Sequence, residues 1–287
     1  MLFRIAPTPS GYLHIGNAVN FVLTWLAARQ LGGRILLRID DLDADRKRPE
    51  YVTDIFQTID YLGLDYDTGP TSPADVEASW SQRHRIDRYA GTLAALRETG
   101  MLYACGLTRK ELQAYGDTYP AAGRGQNLSL NVSGLTWRFR AEGDGANDFI
   151  VRRRDGVSAY QIASLTDDHD FGVTHLVRGL DLLASTNRQR QLAHALGWGD
   201  FWNARVWHHP LLVGADGLKL SKSAGAGADP GTSIRALRER GAGPEIVFGY
   251  ITHLLNIPAE AARSLTALRN SVALATRFSP VGTVKLS

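Results

Sequence analysis

Arg4-Ile5-Ala6-Pro7-Thr8-Pro9-Ser10-Gly11-Tyr12-Leu13-His14-Ile15-Gly16-Asn17 is the stretch on which the fold turns. Leu2 to Ala6 reads as a short buried strand, prolines and a glycine then make a tight exit, and the apolar stripe Val19, Val22, Leu23 and Leu26 predicts a helix from about Asn17. That order places a helix N-terminus, with its unpaired N–H groups and partial positive charge, at the mouth of the turn. An imidazole there, His14, beside the side-chain-free Gly16 suits a nucleotide whose phosphates and base approach the backbone closely. Alone, a His-x-Gly tripeptide reads equally as a Pro/Gly turn with a surface histidine.

A second motif supplies the context. Lys219-Leu220-Ser221-Lys222-Ser223 follows Leu211-Leu212-Val213-Gly214-Ala215-Asp216-Gly217, an apolar run closed by a turn dipeptide, so its lysines are predicted on a loop beyond a strand. Clustered lysines and serines can neutralise a triphosphate while its α-phosphorus is attacked, a reaction that depends on positioning and electrostatics and needs no covalent nucleophile. Taken singly the motif also fits a solvated basic loop. The two motifs in this order are far more specific than either one.

Together they resemble the HIGH and KMSKS signatures of class I aminoacyl-tRNA synthetases. The flanking stretches Arg4 to Gly11, Leu37-Arg38-Ile39-Asp40-Asp41-Leu42-Asp43, Tyr160, and Asp167-Asp168-His169 through Gly172-Val173-Thr174 to Arg178-Gly179 are similar to the glutamyl-tRNA synthetase group. The likeness runs from residue 1 to about 225. Because 287 residues leave little room for that group's anticodon-binding domain, the resemblance extends to its truncated paralogues. It implies an α/β, Rossmann-like class I catalytic domain over residues 1–225, interrupted by a loop-rich, acceptor-binding-like insertion at about 101–145. A helical C-terminal part over 226–287 would follow, with no anticodon-binding domain. The implied activity is that of an ATP-dependent ligase, which activates L-glutamate as an adenylate with Mg-ATP and transfers it to the queuosine base of tRNA(Asp).

The resemblance assigns His14, Gly16, Asn17, Lys219, Ser221 and Lys222 to catalysis, with His14, Gly16 and Lys222 on ATP. It assigns Arg4, Ile5, Ala6, Pro7, Thr8, Asp40, Tyr160 and Arg178 to the amino acid. Charge supports the second set, since glutamate carries an ammonium that needs an acid and carboxylates that a planar guanidinium meets bidentately. Without the resemblance, Arg4 and Arg178 read as surface ion-pair residues, Tyr160 as a core-edge aromatic and Asp40 as a turn or cap acid. Asp40 stands where the group usually has Glu. One methylene changes discrimination by only about 1–3 kcal/mol, so glutamate is the first choice, with aspartate or a glutamate analogue as alternatives.

A second departure lies in the insertion. Many of the truncated paralogues carry a zinc knob with the pattern C-x-C, then Y-x-x-x-C, where this chain has Cys105, Leu107, Tyr119 and Gly123. One thiolate and one phenol do not close a tetrahedral site, so no zinc is expected and Cys105 is read as a small, buried or semi-exposed thiol. The altered insertion motivates a rival reading, a tRNA-independent amino-acid ligase acting on a small molecule, protein or carrier. A non-catalytic RNA-binding or regulatory paralogue is a third reading, against which stand His14, Gly16 and the motif lysines.

Composition agrees with this picture. With 44% hydrophobic residues the chain can bury one good core plus a smaller unit. A formal net charge of +3 permits a nucleic-acid partner without demanding one. Cys105 as the sole cysteine excludes an internal disulfide and fits a reducing compartment. The N-terminus lacks a signal-peptide pattern and no apolar run approaches membrane-spanning length, so a cytoplasmic, monomeric enzyme is expected. The runs Arg46-Lys47-Arg48 and Arg152-Arg153-Arg154, and Arg235 with Arg238 and Arg240, could track phosphates but read more simply as solvated faces. His208-His209 lacks metal-ligand spacing, and the resemblance gives Asp167-Asp168-His169 a structural and substrate-ordering role.

Local patterns predict strands at Arg34 to Ile39, Leu135 to Arg140, Phe149 to Arg153 and Ser158 to Leu165. Helices are predicted from Pro49 to just before Gly63, from Ser79 to Thr99, from the capping box Thr108-Arg109-Lys110-Glu111, around Asn187 to Leu196, and from Ser233 onward. Residues 116–134 lose periodicity, and Ala224 to Gly231 reads as a flexible joint.

Overall fold

The computed structural model describes residues 1–43, 45–115, 119–141, 148–212, 233–274 and 277–278. Lys219, Ser221, Lys222 and the joint Ala224 to Gly231 lie outside the described residues. In chain order the principal elements are β1 (Leu2–Ile5), α1 (Ile15–Gln30), β2 (Arg34–Leu37), α2 (Pro49–Tyr61), α3 (Ile86–Glu98), β3 (Leu102–Cys105), α4 (Arg109–Gln113), α5 (Ala121–Arg124), β4 (Thr136–Phe139), β5 (Phe149–Arg152), α6 (Tyr160–Asp170), β6 (His175–Gly179), α7 (Leu183–Ala195), β7 (Arg205–His209), α8 (Ile234–Glu239), α9 (Glu245–Leu255) and α10 (Leu265–Ser271). They fall into two compact units, one of residues 1–82, 173–183 and 203–287, the other of 83–172 and 184–202.

The first unit is built on a parallel sheet of order β2-β1-β6-β7. Register runs Leu2 to Arg34 through Ile5 to Leu37 between β1 and β2, and His175 to Arg205 through Gly179 to His209 between β6 and β7. Such sheets read as continuous apolar runs because both faces are covered. Phe3, Ile5, Ile35 and Leu37 are buried, as are Val19, Val22 and Leu26 of α1. Phe248 and Ile251 of α9 join the same core, so α1 is enclosed rather than edge-on to water. Leu26 is fully buried, and truncating such a leucine costs about 2–5 kcal/mol. The helix predicted from about Asn17 starts at Ile15, and Pro49 opens α2 at its first turn, where the missing N–H costs nothing.

The second unit holds an antiparallel sheet β3-β4-β5, with Leu102 opposite Phe139 and Cys105 opposite Thr136. The predicted capping box is present: Thr108 Oγ1 accepts from the Glu111 N–H at 3.2 Å, and Glu111 accepts from the Thr108 N–H at 2.6 Å. Helices α3 and α6 are joined by buried polar contacts, including Thr92 Oγ1 to Thr166 Oγ1 at 3.0 Å and Tyr89 Oη to Asp167 Oδ1 at 2.9 Å.

Several elements differ from the sequence reading. Of Ser158 to Leu165, expected as a strand, Ser158 makes only an isolated bridge to Arg152 and the chain from Tyr160 is α6; Gln161 through Asp168 are all buried, so the helix shows no solvent-facing polar face and no 3.6-residue stripe. The helix expected over Ser79 to Thr99 is broken. A π-helical turn, Val76–Trp80, and a 3₁₀ turn, Gln82–Arg85, precede α3. Asp41 causes the interruption: its carboxylate takes the Gln82 N–H at 2.8 Å, a donor a continuous helix would use within itself, and holds the neighbouring Ser81 Oγ at 2.7 Å. The strand expected before the lysine motif is absent at Leu211 and Leu212, and the described strand ahead of them is Arg205–His209; Val213 to Gly217 lie outside the described residues.

Candidate active site

In a parallel sheet, ligands bind outside the carboxyl ends of the strands where the chain order reverses. Here β1 is flanked by β2 on one side and β6 on the other, which makes the end of β1 that position. Three predicted site segments meet there. Arg4 and Ile5 close β1, Asp40 lies just past β2, and Arg178 lies near the end of β6. The loop after β1 is held against the loop after β2, since the Arg38 N–H donates to Ile5 O and the Asp40 N–H to Pro7 O, both at 2.9 Å. Ala6, Pro7 and Thr8 therefore run beside Asp40.

Arg4, Asp40 and Arg178 are not the surface residues that composition would suggest: they are 6%, 6% and 1% exposed. Arg38, which the sequence reading passed over, clamps Asp40 through Nε to Oδ1 at 2.6 Å and Nη2 to Oδ2 at 3.1 Å. The local charge is thus already balanced, and the carboxylate is held in one orientation by a planar fork. Asp41, next along, is buried against Lys47, whose ammonium also meets Glu77. Burial opposes the charge on Lys47, but these two acids outweigh it and raise its pKa. Tyr160 belongs to the second unit, where it opens α6 after the N-cap Ala159 and is exposed.

His14 is the N-cap residue of α1, in extended backbone conformation, and its N–H donates to Asn17 Oδ1 at 3.1 Å. A Cβ added at Gly16 would lie 2.8 Å from His14 Cε1, so the glycine makes room for the imidazole itself. The site's edge is also tied to the segment beyond the lysine motif: Ile234 N–H donates to Leu13 O at 2.8 Å, and His14 bridges to Ser233. Buried Asp54 accepts from the Leu13 N–H at 3.0 Å and pairs with Arg238.

Asn20 was missed in the sequence, and His209, read there as lacking metal-ligand spacing, is its partner. Asn20, on α1 beyond Asn17, donates from Nδ2 to Val177 O at 3.2 Å and contacts His209 Nε2 at 3.2 Å. His209 Nδ1 lies 2.8 Å from Pro210 O, which can only accept, so Nδ1 carries the proton and Nε2 accepts from Asn20. Burial lowers the pKa of His209, consistent with this neutral form. Asn20 thereby joins α1 to β6 beside Arg178 and to the end of β7.

Several of the remaining charged residues are paired. Arg153 meets Asp155, Arg235 meets Glu239 and stacks over Tyr12, and Asp167 takes Arg85 Nε at 2.7 Å. His169 stacks on Trp198 at 4.0 Å and bonds Asp200, so Asp167 and His169 brace the second unit. Among the described residues no helix is long and apolar enough to cross a membrane.

A helix N-terminus capped by His14, with Arg4, Asp40 and Arg178 buried at the carboxyl ends of parallel strands, is the arrangement expected of a class I synthetase type of fold, and the family model gives that class. The chain belongs to the tRNA synthetases class I (E and Q), catalytic domain, matched over residues 1–133 and 134–274. It is a ligase of the aminoacyl-tRNA synthetase type. Among particular relatives, it is 36% identical to the glutamyl-Q tRNA(Asp) synthetase of Nitratidesulfovibrio vulgaris, over 96% of this chain and 93% of that one. It is 41% identical to the protein of the same name from Pseudomonas putida, over 77% and 76% of the two chains. The solved glutamate-tRNA synthetase of Elizabethkingia anophelis superposes with a TM-score of 0.73 at 25% identity, over 96% of this chain and 66% of that one. This chain therefore spans less than two thirds of that solved enzyme.

Proposed function

We propose that this protein activates L-glutamate with Mg-ATP and transfers it to the queuosine base of tRNA(Asp), acting in the cytoplasm as a monomer. The observation that carries the reading is the convergence of Arg4, Asp40 and Arg178, all buried, at the carboxyl ends of β1, β2 and β6, with His14 capping the helix that follows β1. The names of the curated relatives support the amino acid and the acceptor.

In the first step a carboxylate oxygen of glutamate attacks the α-phosphorus of ATP, forming the mixed anhydride as the bond to the β-phosphate oxygen breaks and pyrophosphate leaves. His14 and the α1 N-terminus lie on the phosphate side, and Lys219, Ser221 and Lys222 are assigned to the same developing charge. Gly16 and Asn17 keep the imidazole in place, the first by yielding space and the second by accepting the His14 N–H. Arg4 and Arg178 hold glutamate carboxylate oxygens, the Arg38-clamped Asp40 takes the ammonium, Ile5 to Thr8 form a wall, and Tyr160, in the second unit, is assigned to the amino acid by the resemblance alone. In the second step a hydroxyl of the queuosine cyclopentenediol attacks the activated carbonyl, AMP leaves with the bonding pair, and the hydroxyl proton passes to solvent.

Amino-acid-dependent ATP–pyrophosphate exchange without RNA tests the first step. Exchange with glutamate alone is the expected result. Exchange with aspartate in its place would reassign the pocket to the shorter acid, and no exchange with any amino acid, with or without RNA, would remove the catalytic reading.

A further inference from the structure

In the resembled enzymes zinc closes the knob of the insertion, and the four corresponding positions here do not fit that ion. Cys105 is fully buried and accepts a hydrogen bond from the Tyr119 hydroxyl, O to S 2.9 Å. Leu107, an aliphatic side chain, packs against the same cluster. A Cβ at Gly123 would lie 2.0 Å from the Tyr119 hydroxyl and 2.4 Å from Cζ, so the phenol occupies the space a fourth ligand would need. Two positions thus lack a donor, and the two that have one are spent on each other.

Other contacts do what the missing bonds would have done. The residue after Gly123, Arg124, forks onto Asp148 through Nη2 to Oδ1 at 2.5 Å and Nε to Oδ2 at 2.6 Å. The same carboxylate accepts from Tyr103 Oη at 2.6 Å and the Ala141 N–H at 3.0 Å. Gln126 Oε1 accepts from the Gly106 N–H at 2.9 Å, and Arg138 stacks 4.0 Å over the Tyr119 ring. Among the described residues, these side chains tie Tyr119 to Cys105 of β3, Arg124 to Asp148 just before β5, and Gln126 to Gly106 just after β3, all within the same unit.

We propose that the insertion is a metal-free module, closed by the Tyr119–Cys105 hydrogen bond and the Arg124–Asp148–Tyr103 network in place of zinc. This rests on family membership and not on the choice of amino acid or acceptor, so it stands or falls separately from the proposed reaction. The test is metal analysis of the whole protein, purified, incubated with zinc and desalted, combined with thermal melting with and without chelator. The expected result is zinc far below one ion per chain and an unchanged Tm; one zinc retained per chain, with a Tm lowered by chelator, would overturn the proposal. Tyr119→Phe keeps the ring and removes only the donor. It is expected to lower Tm by about 2 °C and to weaken hydrogen-exchange protection over residues 102–128, in line with about 1 kcal/mol for one buried hydrogen bond in a domain of this size. Unchanged protection in that variant would deny the bond its closing role.

Discussion

Gly16→Ala separates helix propensity from chemistry. Alanine is the better helix former by about 1 kcal/mol, and the only atoms the new methyl meets belong to the His14 ring. The expected outcome is an unchanged or slightly raised Tm with the imidazole displaced and pyrophosphate exchange reduced by about 100-fold, the lower end of the loss on removing one transition-state donor. Arg178→Lys tests the pocket in the same way. Lysine keeps the charge but not the fork, so kcat/KM for glutamate is expected to fall about 10- to 100-fold, the equivalent of one charge-assisted bond of about 1.5–3 kcal/mol. A variant with full activity would place Arg178 outside the pocket. His14, Arg4, Asp40 and Arg178 could be named from the sequence because each sits in a recognisable motif, and the last three are buried. Asp54 and Asn20 could not, because their roles depend on partners distant in sequence, as when Asp54 accepts from the Leu13 N–H; Arg38 pairs only two residues away, with Asp40, and nothing in that spacing marks the pair as buried.

At the scale of elements, the contact between α2 and α8 links the His14 segment to the chain beyond the lysine motif. Asp54 is buried, and burial raises its pKa against the opposing pull of the Leu13 N–H and Arg238. Removing Arg238 strands that carboxylate, and breaking a buried pair in this way costs about 3–5 kcal/mol. Arg238→Met is expected to lose stability toward that value in urea melts. Asp54→Asn/Arg238→Met is expected to recover part of the loss, whereas an additive double variant would show the pair to be uncoupled. The same scale explains which elements could be read from sequence. The first strand, the Pro49 helix and the Thr108 capping box announce themselves locally. α6 does not, because its buried surroundings on all sides erase periodicity, and the break before α3 depends on Asp41, which precedes it by a whole helix.

For the molecule as a whole, pH is a probe of the buried histidines. Burial lowers the pKa of His209, and burial, Arg205 and the N-terminal ammonium lower that of His175, which stacks on Phe3 at 4.7 Å. Below about pH 6.5 the unfolded chain takes up protons that the folded chain refuses, so stability is full above that value and falls as pH drops toward the folded pKa values. The slope is at most about 1.4 kcal/mol per pH unit for each histidine. Tm measured from pH 8 to 5.5 is expected to decline below about 6.5, and His175→Phe to flatten the decline. A curve that is level to pH 5.5 would place both histidines in solvent-like surroundings. At lower pH, carboxylates with depressed pKa add to the loss: for Asp148, burial opposes ionisation, but Arg124, Tyr103 and the Ala141 N–H outweigh it.

Transfer of glutamate to a modified base is measured with labelled glutamate and two preparations of tRNA(Asp), one carrying queuosine and one lacking it. Incorporation into the queuosine-bearing tRNA alone, dependent on ATP, is the predicted result. Equal charging of both preparations, or exchange activity with no transfer to either RNA, would contradict it.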